Sequence, residues 1–430
     1  MPKIRILVPS YTLPNVGSVI SMYFENLLPV LKKKVVVQLL WLFYHPNKLN
    51  SFPKFSDITV KDIHDSKNAI ELLQNEKPDI VFAFADQHLV DYAVASAAKF
   101  LDIPVVSFMQ INLEKSSKKQ LIGSYITSFF ESTTPAEMTP KKQFMKRGRF
   151  FLYKYGFLLR TQLAMKMSIF EIIQDFLFLL KVYFSLPLNR SAIHSHFANT
   201  FHLLENKKVI RPLIERGFEK SSLVVTGNPI YDPILKKYHE LKLYSKHSEK
   251  INVLFAPTPL YEHGIWTKQQ QDEAIREIVK CFCKHKNEIK LVVKIHPSTG
   301  ILSDYESIIN SIDPSIPIHK KGDILDYLEK SDVVISFLSS SHLIKSVILR
   351  KPIIICNFYG DWKDSLLEEE LAVECKDPLQ LFTLIQQVLS SNPISEKKRE
   401  KFIDDFLFKS DGLASERVCD LILKIVKKKA

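Results

Sequence analysis

Two short clusters in the second half of the chain have residue types that can hold a phosphate. Ser339-Ser340-Ser341-His342 follows Val333 to Ser336, a β-branched run long enough for a buried strand and too short for a helix. Serine is a preferred helix N-cap because its hydroxyl accepts from the free amides of the first turn. Behind the serines, Leu343, Val347 and Ile348 recur on one face at helical spacing, Pro352 marks the stop, and Ile353 to Cys356 reads as the next strand. A strand–turn–helix of this kind presents unpaired amides and the positive end of a helix dipole, and both suit a phosphate. The same residues also read as a serine-capped helix that binds nothing. The second cluster is His296-Pro297, which ends a strand read over Lys290 to Lys294. Lys294 adds a point charge there, or is simply a strand-edge lysine.

Other polar residues lie where strands end in the first half. Asp86 and His88 follow DIVFAFA (Asp79 to Ala85), and Asn15 and Gly17 follow the first strand, Ile4 to Val8. Each pair reads equally well as a helix N-cap and its neighbour. His194-x-His196 places two imidazoles on one face of a strand, with no third metal ligand nearby in sequence.

Short apolar runs alternate with helical patterns along most of the chain, which predicts parallel, doubly wound sheets with ligands at the strands' carboxyl ends. At 430 residues the chain is too long for one ordinary core, so two domains are expected. The first spans residues 1–228 and the second 251–400, joined by a polar linker at 229–250, with closing helices at 401–430 that pack back toward the first. The pattern resumes after the insert with Ser191 to His196 and a helix from about Thr200 to Arg216; beyond Cys356 the chain reads as helical. A hydrophobic share of 46% with 25% charged residues is globular composition. Eleven glycines form neither G-x-G-x-x-G nor a P-loop, which disfavours dinucleotide oxidoreductases and P-loop kinases. Five scattered cysteines without C-x-x-C read as reduced thiols, and the amino terminus reads as a strand rather than a signal peptide. Both point to a cytoplasmic protein.

Residues from about 113 to 188 interrupt the alternation. Thr139 to Lys166 holds eight basic residues (Lys141, Lys142, Lys146, Arg147, Arg149, Lys154, Arg160, Lys166) and no acidic one, within a chain of net charge +12. Phe150, Phe151, Tyr153, Tyr155, Phe157 and Leu158 are interleaved with them. That mixture fits either a membrane-surface segment facing anionic lipid or a solvated basic face. No recognised nucleic-acid module surrounds it, so nucleic acid is not an expected partner. No run approaches the ~18 uncharged residues of a spanning helix.

Four segments in this order resemble nucleotide-sugar enzymes of the glycosyltransferase-B (GT-B) architecture. They are VVTGNPIYD (Val224 to Asp232), VLFAPT (Val253 to Thr258), VKIHP (Val293 to Pro297) and SDVVISFLSSSHLIKSVILRKPIII (Ser331 to Ile355). The tail KSDGLASERVCDLIL (Lys409 to Leu423) resembles the closing helix of the same group. The nearest likenesses are CDP-glycerol glycerophosphotransferases, non-hydrolysing UDP-N-acetylglucosamine 2-epimerases and bacterial sialyltransferases. The resemblance covers the C-terminal half well and the N-terminal half only in strand pattern.

The resemblance implies two Rossmann-like domains facing across a cleft, with a helical basic insert in the first. The second domain binds a nucleotide donor and the acceptor faces the first. At the nucleotide it places Gly227, Asn228, Thr258, Lys294, His296, Pro297, Ser339, Ser340, Ser341 and His342, with Asn15 and Gly17 in an acceptor-side loop. Amides, hydroxyls and an imidazole can stabilise a nucleotide leaving group without a metal, and no D-x-D sequence occurs. No cofactor is implied, since the nucleotide-linked donor is itself a substrate. Asp86 and His88 are the candidate bases for an acceptor hydroxyl, and Glu262 or His263, in a partial echo of the sialyltransferase acid motif, the candidate acid or leaving-group contact. Two departures stand out. Lys345 occupies the position where this group often has a ribose-binding carboxylate, and IPVVSFMQINL has no glutamate where the 2-epimerase acid falls. The reading is a membrane-peripheral transferase moving a sugar or glycerophosphate group from a nucleotide donor to a surface-polysaccharide or lipid-linked acceptor, at the inner face of the cell membrane. The rivals are a 2-epimerase-like isomerase and a non-catalytic nucleotide binder.

Overall fold

Two all-parallel sheets organise the chain. The computed structural model describes residues 2–14, 19–45, 55, 57–83, 88–109, 140–185, 200–215, 217–238, 249–261, 265–296, 301–360, 364–391 and 394–429. They divide into two compact units, residues 1–232 with 406–430, and residues 233–405.

Unit one holds seven strands: β1 (Lys3–Ser10), β2 (Val36–Phe43), β3 (Ile58–Asp62), β4 (Ile80–Phe82), β5 (Val105–Met109), β6 (Thr200–Leu204) and β7 (Leu223–Val225), in the order β3-β2-β1-β4-β5-β6-β7. Unit two holds six: β8 (Ile251–Phe255), β9 (Ile289–Lys294), β10 (Ile318–His319), β11 (Val333–Ser336), β12 (Ile353–Cys356) and β13 (Val373–Cys375), in the order β10-β9-β8-β11-β12-β13. In each sheet the chain starts in the middle, winds outward, then crosses back to lay the next strand on the other side of the first. That crossover is where doubly wound sheets open a crevice at their carboxyl ends.

The two units enter that crossover strand in the same way. Asp79, just before β4, accepts the Arg5 amide of β1 at 2.7 Å. Asp332, just before β11, accepts the Asn252 amide of β8 at 2.6 Å. Each carboxylate satisfies a donor on the neighbouring strand where the ladder begins, which sets the register of the pair. The central strands are buried on both faces, as helix-covered parallel strands must be, so they read as continuous apolar runs.

Helices Pro140–Ala164 and Ile169–Ser185 belong to unit one. Phe150, Phe157, Leu158 and Leu179 enter its core. The Thr161 hydroxyl accepts the Ala69 amide at 3.0 Å, and Asp175 accepts from Tyr92 and Gln162. Residues 110–139 and 186–199, which complete the expected insert and include His194 and His196, lie outside the described residues.

Three elements differ from expectation. The helix expected from Thr200 is strand β6, and only Ile210–Glu215 is helical. The run TFHLL is short and β-branched at its start; it pairs with β5 over its whole length and with β7 over its last three residues. Strand β3 was not read because the edge strand ITVKD carries two charges. Nor was β13 (VEC), an edge strand of three residues in a tail read as helical.

Candidate active site at the serine turn

The carboxyl ends of β8 and β11 are fastened together before the chain reaches the serines. The Ser336 hydroxyl donates to the Ala256 carbonyl at 2.8 Å and lies 3.2 Å from the Thr258 hydroxyl. Thr258 donates to the Leu338 carbonyl at 2.9 Å. Both residues are buried, so Thr258 shapes the turn from beneath.

Ser339 is held next. Its amide and hydroxyl donate to the Asp364 carboxylate at 2.6 and 2.5 Å. Asp364 is 2% exposed and also accepts the Leu366 and Leu367 amides, as N-cap of the short helix Ser365–Glu368. Asp364 was not singled out from the sequence. Its signal there is modest, an aspartate immediately before Ser-Leu-Leu-Glu, which is an N-cap pattern.

Ser340 stands at the N-cap of helix Ser341–Ile348 with extended backbone, yet its hydroxyl makes no cap bond. It lies 2.5 Å from His342 Nδ1 instead. The Ser340 carbonyl accepts the Leu343 and Ile344 amides, while no side chain caps the first-turn amides of Ser341 and His342. Helix N-termini leave such donors for caps, water or ligands. Ser341 is exposed beside them. His342 Nε2 is shielded from solvent and has no hydrogen-bond partner among the described residues. Burial, reinforced by the nearby bases His296, Lys345 and Lys294, lowers the His342 pKa to about 3. The ring is therefore neutral near pH 7. When Nδ1 accepts from Ser340, Nε2 carries the proton and is a donor.

The same electrostatic neighbourhood brings the two sequence clusters together. His296, exposed just past β9, bears on His342. Lys294 is buried, with Nζ donating to the Ile295 and Lys320 carbonyls at 3.2 and 3.0 Å. Its donors hold the end of β9 to the following strand, and burial lowers its pKa. Pro297, Glu262 and His263 lie outside the described residues.

Gly227 and Asn228 belong to unit one. Gly227 has φ +77, and a Cβ there would meet Arg417 Nη2 and the Leu407 carbonyl, both at 3.2 Å. Only glycine suits that combination of backbone and space. Asn228 is buried; its side-chain amide donates to Glu205 at 3.3 Å, and its oxygen accepts the Ile230 amide at 3.0 Å. Gly227 thus sets the end of β7 against the returning C-terminal segment, and Asn228 ties it to the residue after β6. Nearby, burial raises the Glu205 carboxyl to about 7, and the buried Tyr23 hydroxyl has no partner.

His88, also in unit one, precedes helix Leu89–Phe100. Its ring lies edge-on to Tyr11, with centroids 5.6 Å apart. Burial, and then Lys154, lowers its pKa to about 4, which keeps the imidazole unprotonated near neutral pH but makes it a weak base. Asp86, Asn15 and Gly17 lie outside the described residues.

The family model described as CDP-glycerol:poly(glycerophosphate) glycerophosphotransferase matches residues 189–424. No curated protein matches the chain. Among solved structures, the chain is similar to the wall teichoic acid polymerase TagF, with TM-score 0.52 and 13% identity over 100% of this chain and 90% of that one. It is also similar to the UDP-GlcNAc 2-epimerase of Neisseria meningitidis bound to UDP-GlcNAc, with TM-score 0.52 and 13% identity over 98% of this chain and 100% of that one. A third similar structure is the UDP-GlcNAc 2-epimerase of Methanocaldococcus jannaschii, with TM-score 0.52 and 12% identity over 98% and 99% of the two chains. At these identities the likeness is one of fold, the GT-B fold that the four sequence segments implied.

Proposed function

Because the chain belongs to the CDP-glycerol:poly(glycerophosphate) glycerophosphotransferase family, we propose that it transfers glycerophosphate, or a sugar, from a nucleotide-linked donor to a surface-polysaccharide or lipid-linked acceptor. It is a transferase with the GT-B fold. The observation that carries the finer reading is the serine turn, where uncapped amides, an unpartnered imidazole nitrogen and His296 converge at the carboxyl ends of β9 and β11. These are donors suited to phosphate oxygens whose charge grows as the nucleotide leaves.

For a CDP-glycerol donor the balance is simple. An acceptor hydroxyl oxygen attacks the phosphorus bearing glycerol, and the bond from that phosphorus to the bridging oxygen breaks. CMP departs with the electron pair, and the hydroxyl proton passes to a base. The uncapped amides and His296 hold the departing phosphate. Asp86 and His88 remain the proposed bases, and the neutral state of His88 near pH 7 is compatible with accepting a proton.

Work at the inner face of the cell membrane is supported by the helix pair of unit one. Ile169 and Phe170 are 77% and 67% exposed, and Leu152, Leu163, Ile173 and Leu177 are also largely exposed. Arg149, Arg160 and Lys166 are exposed on the same two-helix element. Apolar side chains flanked by cations suit an anionic lipid surface. Among the described residues no helix is long and apolar enough to cross a membrane.

The test is incubation with CDP-glycerol and a lipid-linked glycerophosphate primer. Release of CMP that requires the primer, abolished by His296→Ala, is the expected result. Isomerised nucleotide sugar formed without any acceptor would favour the epimerase rival. Nucleotide binding with no turnover on any acceptor would favour the non-catalytic one.

A further inference from the structure

One lysine at this site is buried and makes no ion pair among the described residues. Lys345 lies on the second turn of helix Ser341–Ile348 and is 8% exposed. Among the described residues its amine forms no hydrogen bond and no ion pair. Lys351, a few residues on and equally buried, shows the usual arrangement, with Nζ donating to the Ser331 and Glu329 carbonyls at 2.7 and 3.1 Å. Lys294 is satisfied in the same way.

Helical side chains slant toward the N-terminus, so an amine at the fifth position of this helix overlies the first turn. Lys345 accordingly bears on His342. The described titratable groups acting on this pair are His296 and Lys294 from the end of β9 and Asp323 from the start of helix Ile324–Lys330. Asp323 is occupied as an N-cap, accepting the Leu325 amide at 3.0 Å. Asp364 is committed to Ser339 and its own helix. Three basic groups thus surround one helix N-terminus that also holds His342 Nε2, unpartnered among the described residues.

We propose that Lys345 makes this site select nucleoside diphosphates over monophosphates, taking the second phosphate while the first sits on the Ser341 and His342 amides. The inference rests on the nucleotide reading of the serine turn and adds which phosphate state it recognises. Burial holds the amine below its ordinary pKa, and Asp323 opposes this. An adjacent phosphate acts with Asp323 to favour the charged amine, so affinity for the diphosphate falls as pH rises through the pKa of the bound lysine.

The test is calorimetric titration of the full chain with CDP, CMP, UDP and UMP at about pH 7. Wild type is expected to prefer each diphosphate to its monophosphate. Lys345→Met is expected to lose diphosphate affinity on the order of ten- to a hundred-fold, with monophosphate affinity unchanged. The wild-type preference needs no variant, so a variant that misfolds does not rescue the idea. Equal loss for di- and monophosphates, unchanged diphosphate affinity in folded Lys345→Met, or no diphosphate preference in wild type would each overturn it. If His296→Ala weakens every nucleotide while the Lys345→Met ratio stays that of wild type, only this inference falls. If wild type binds no nucleotide, the reading beneath it falls as well.

Discussion

Asp364 holds the serine turn by accepting from Ser339 twice and from two amides of its own helix. Removing it frees the segment that positions Ser340 and His342 and also takes away an N-cap. Asp364→Ala is therefore expected to cost about 1–2 kcal/mol of unit-two stability and to weaken nucleotide binding, whereas Asp364→Asn keeps the cap oxygen and much of both. Urea unfolding with calorimetry on the same samples checks the pair. At the same scale, two buried groups of unit one give stability opposite pH slopes. Glu205 titrates near 7 instead of its ordinary 4.5, so the fold gains from it below pH 4.5 and loses that gain as pH rises through 7. Glu205→Gln should be neutral at pH 4 and stabilising by roughly 1–3 kcal/mol at pH 8. His202, 4% exposed against Phe218, is lowered by burial from 6.5 to about 4. Its contribution is complete above pH 6.5 and is lost as pH falls toward 4. His202→Phe should therefore flatten the acid limb of a melting-temperature profile. Sequence alone marked His296, the serines and Lys345 because residue type at a strand end is visible there. It could not show that Ser339 faces Asp364, or that Gly227 lies against the C-terminal helix, since those partners are 25 residues or more away in the chain.

Strands buried on both faces announce themselves as β-branched runs, so β1, β9, β11 and β12 were legible to within a residue or two. Edge strands β3 and β13 meet solvent and carry charge, which breaks the apolar run. Helix Lys268–Lys284 starts at a capping box formed by Thr267 and Gln270, a signal written in four consecutive residues. The pair Pro140–Ala164 and Ile169–Ser185 has one face in the core and another left open. Replacing Ile169, Phe170, Ile173 and Leu177 with serine should abolish flotation with phosphatidylglycerol vesicles, at about 1.5–3 kcal/mol per fully inserted side chain. Arg149, Arg160 and Lys166→Gln should weaken it by about 1 kcal/mol each at low salt and hardly at all at high salt. Binding that ignores both sets would remove the membrane from the account.

At the scale of the molecule, the chain leaves unit one at Asp232, builds all of unit two, and returns at Phe406. The return is well anchored. Asp232 accepts the Ala414 and Ser415 amides at 2.9 and 2.7 Å, and Arg417 donates to the Thr226 carbonyl at 2.7 Å. Val418, Cys419 and Ile422 are fully buried among residues of β1 and the first helix. Ile422→Ala is expected to cost about 2–5 kcal/mol and to lower the melting of unit one while leaving unit two unchanged, which domain-resolved hydrogen exchange would report. This arrangement bears on dissection of the chain. The inner segment is continuous in sequence and its partner is not. Residues 233–405 made alone are therefore expected to resist protease, whereas residues 1–232 made without 406–430 keep an unfilled apolar groove and are expected to be cut.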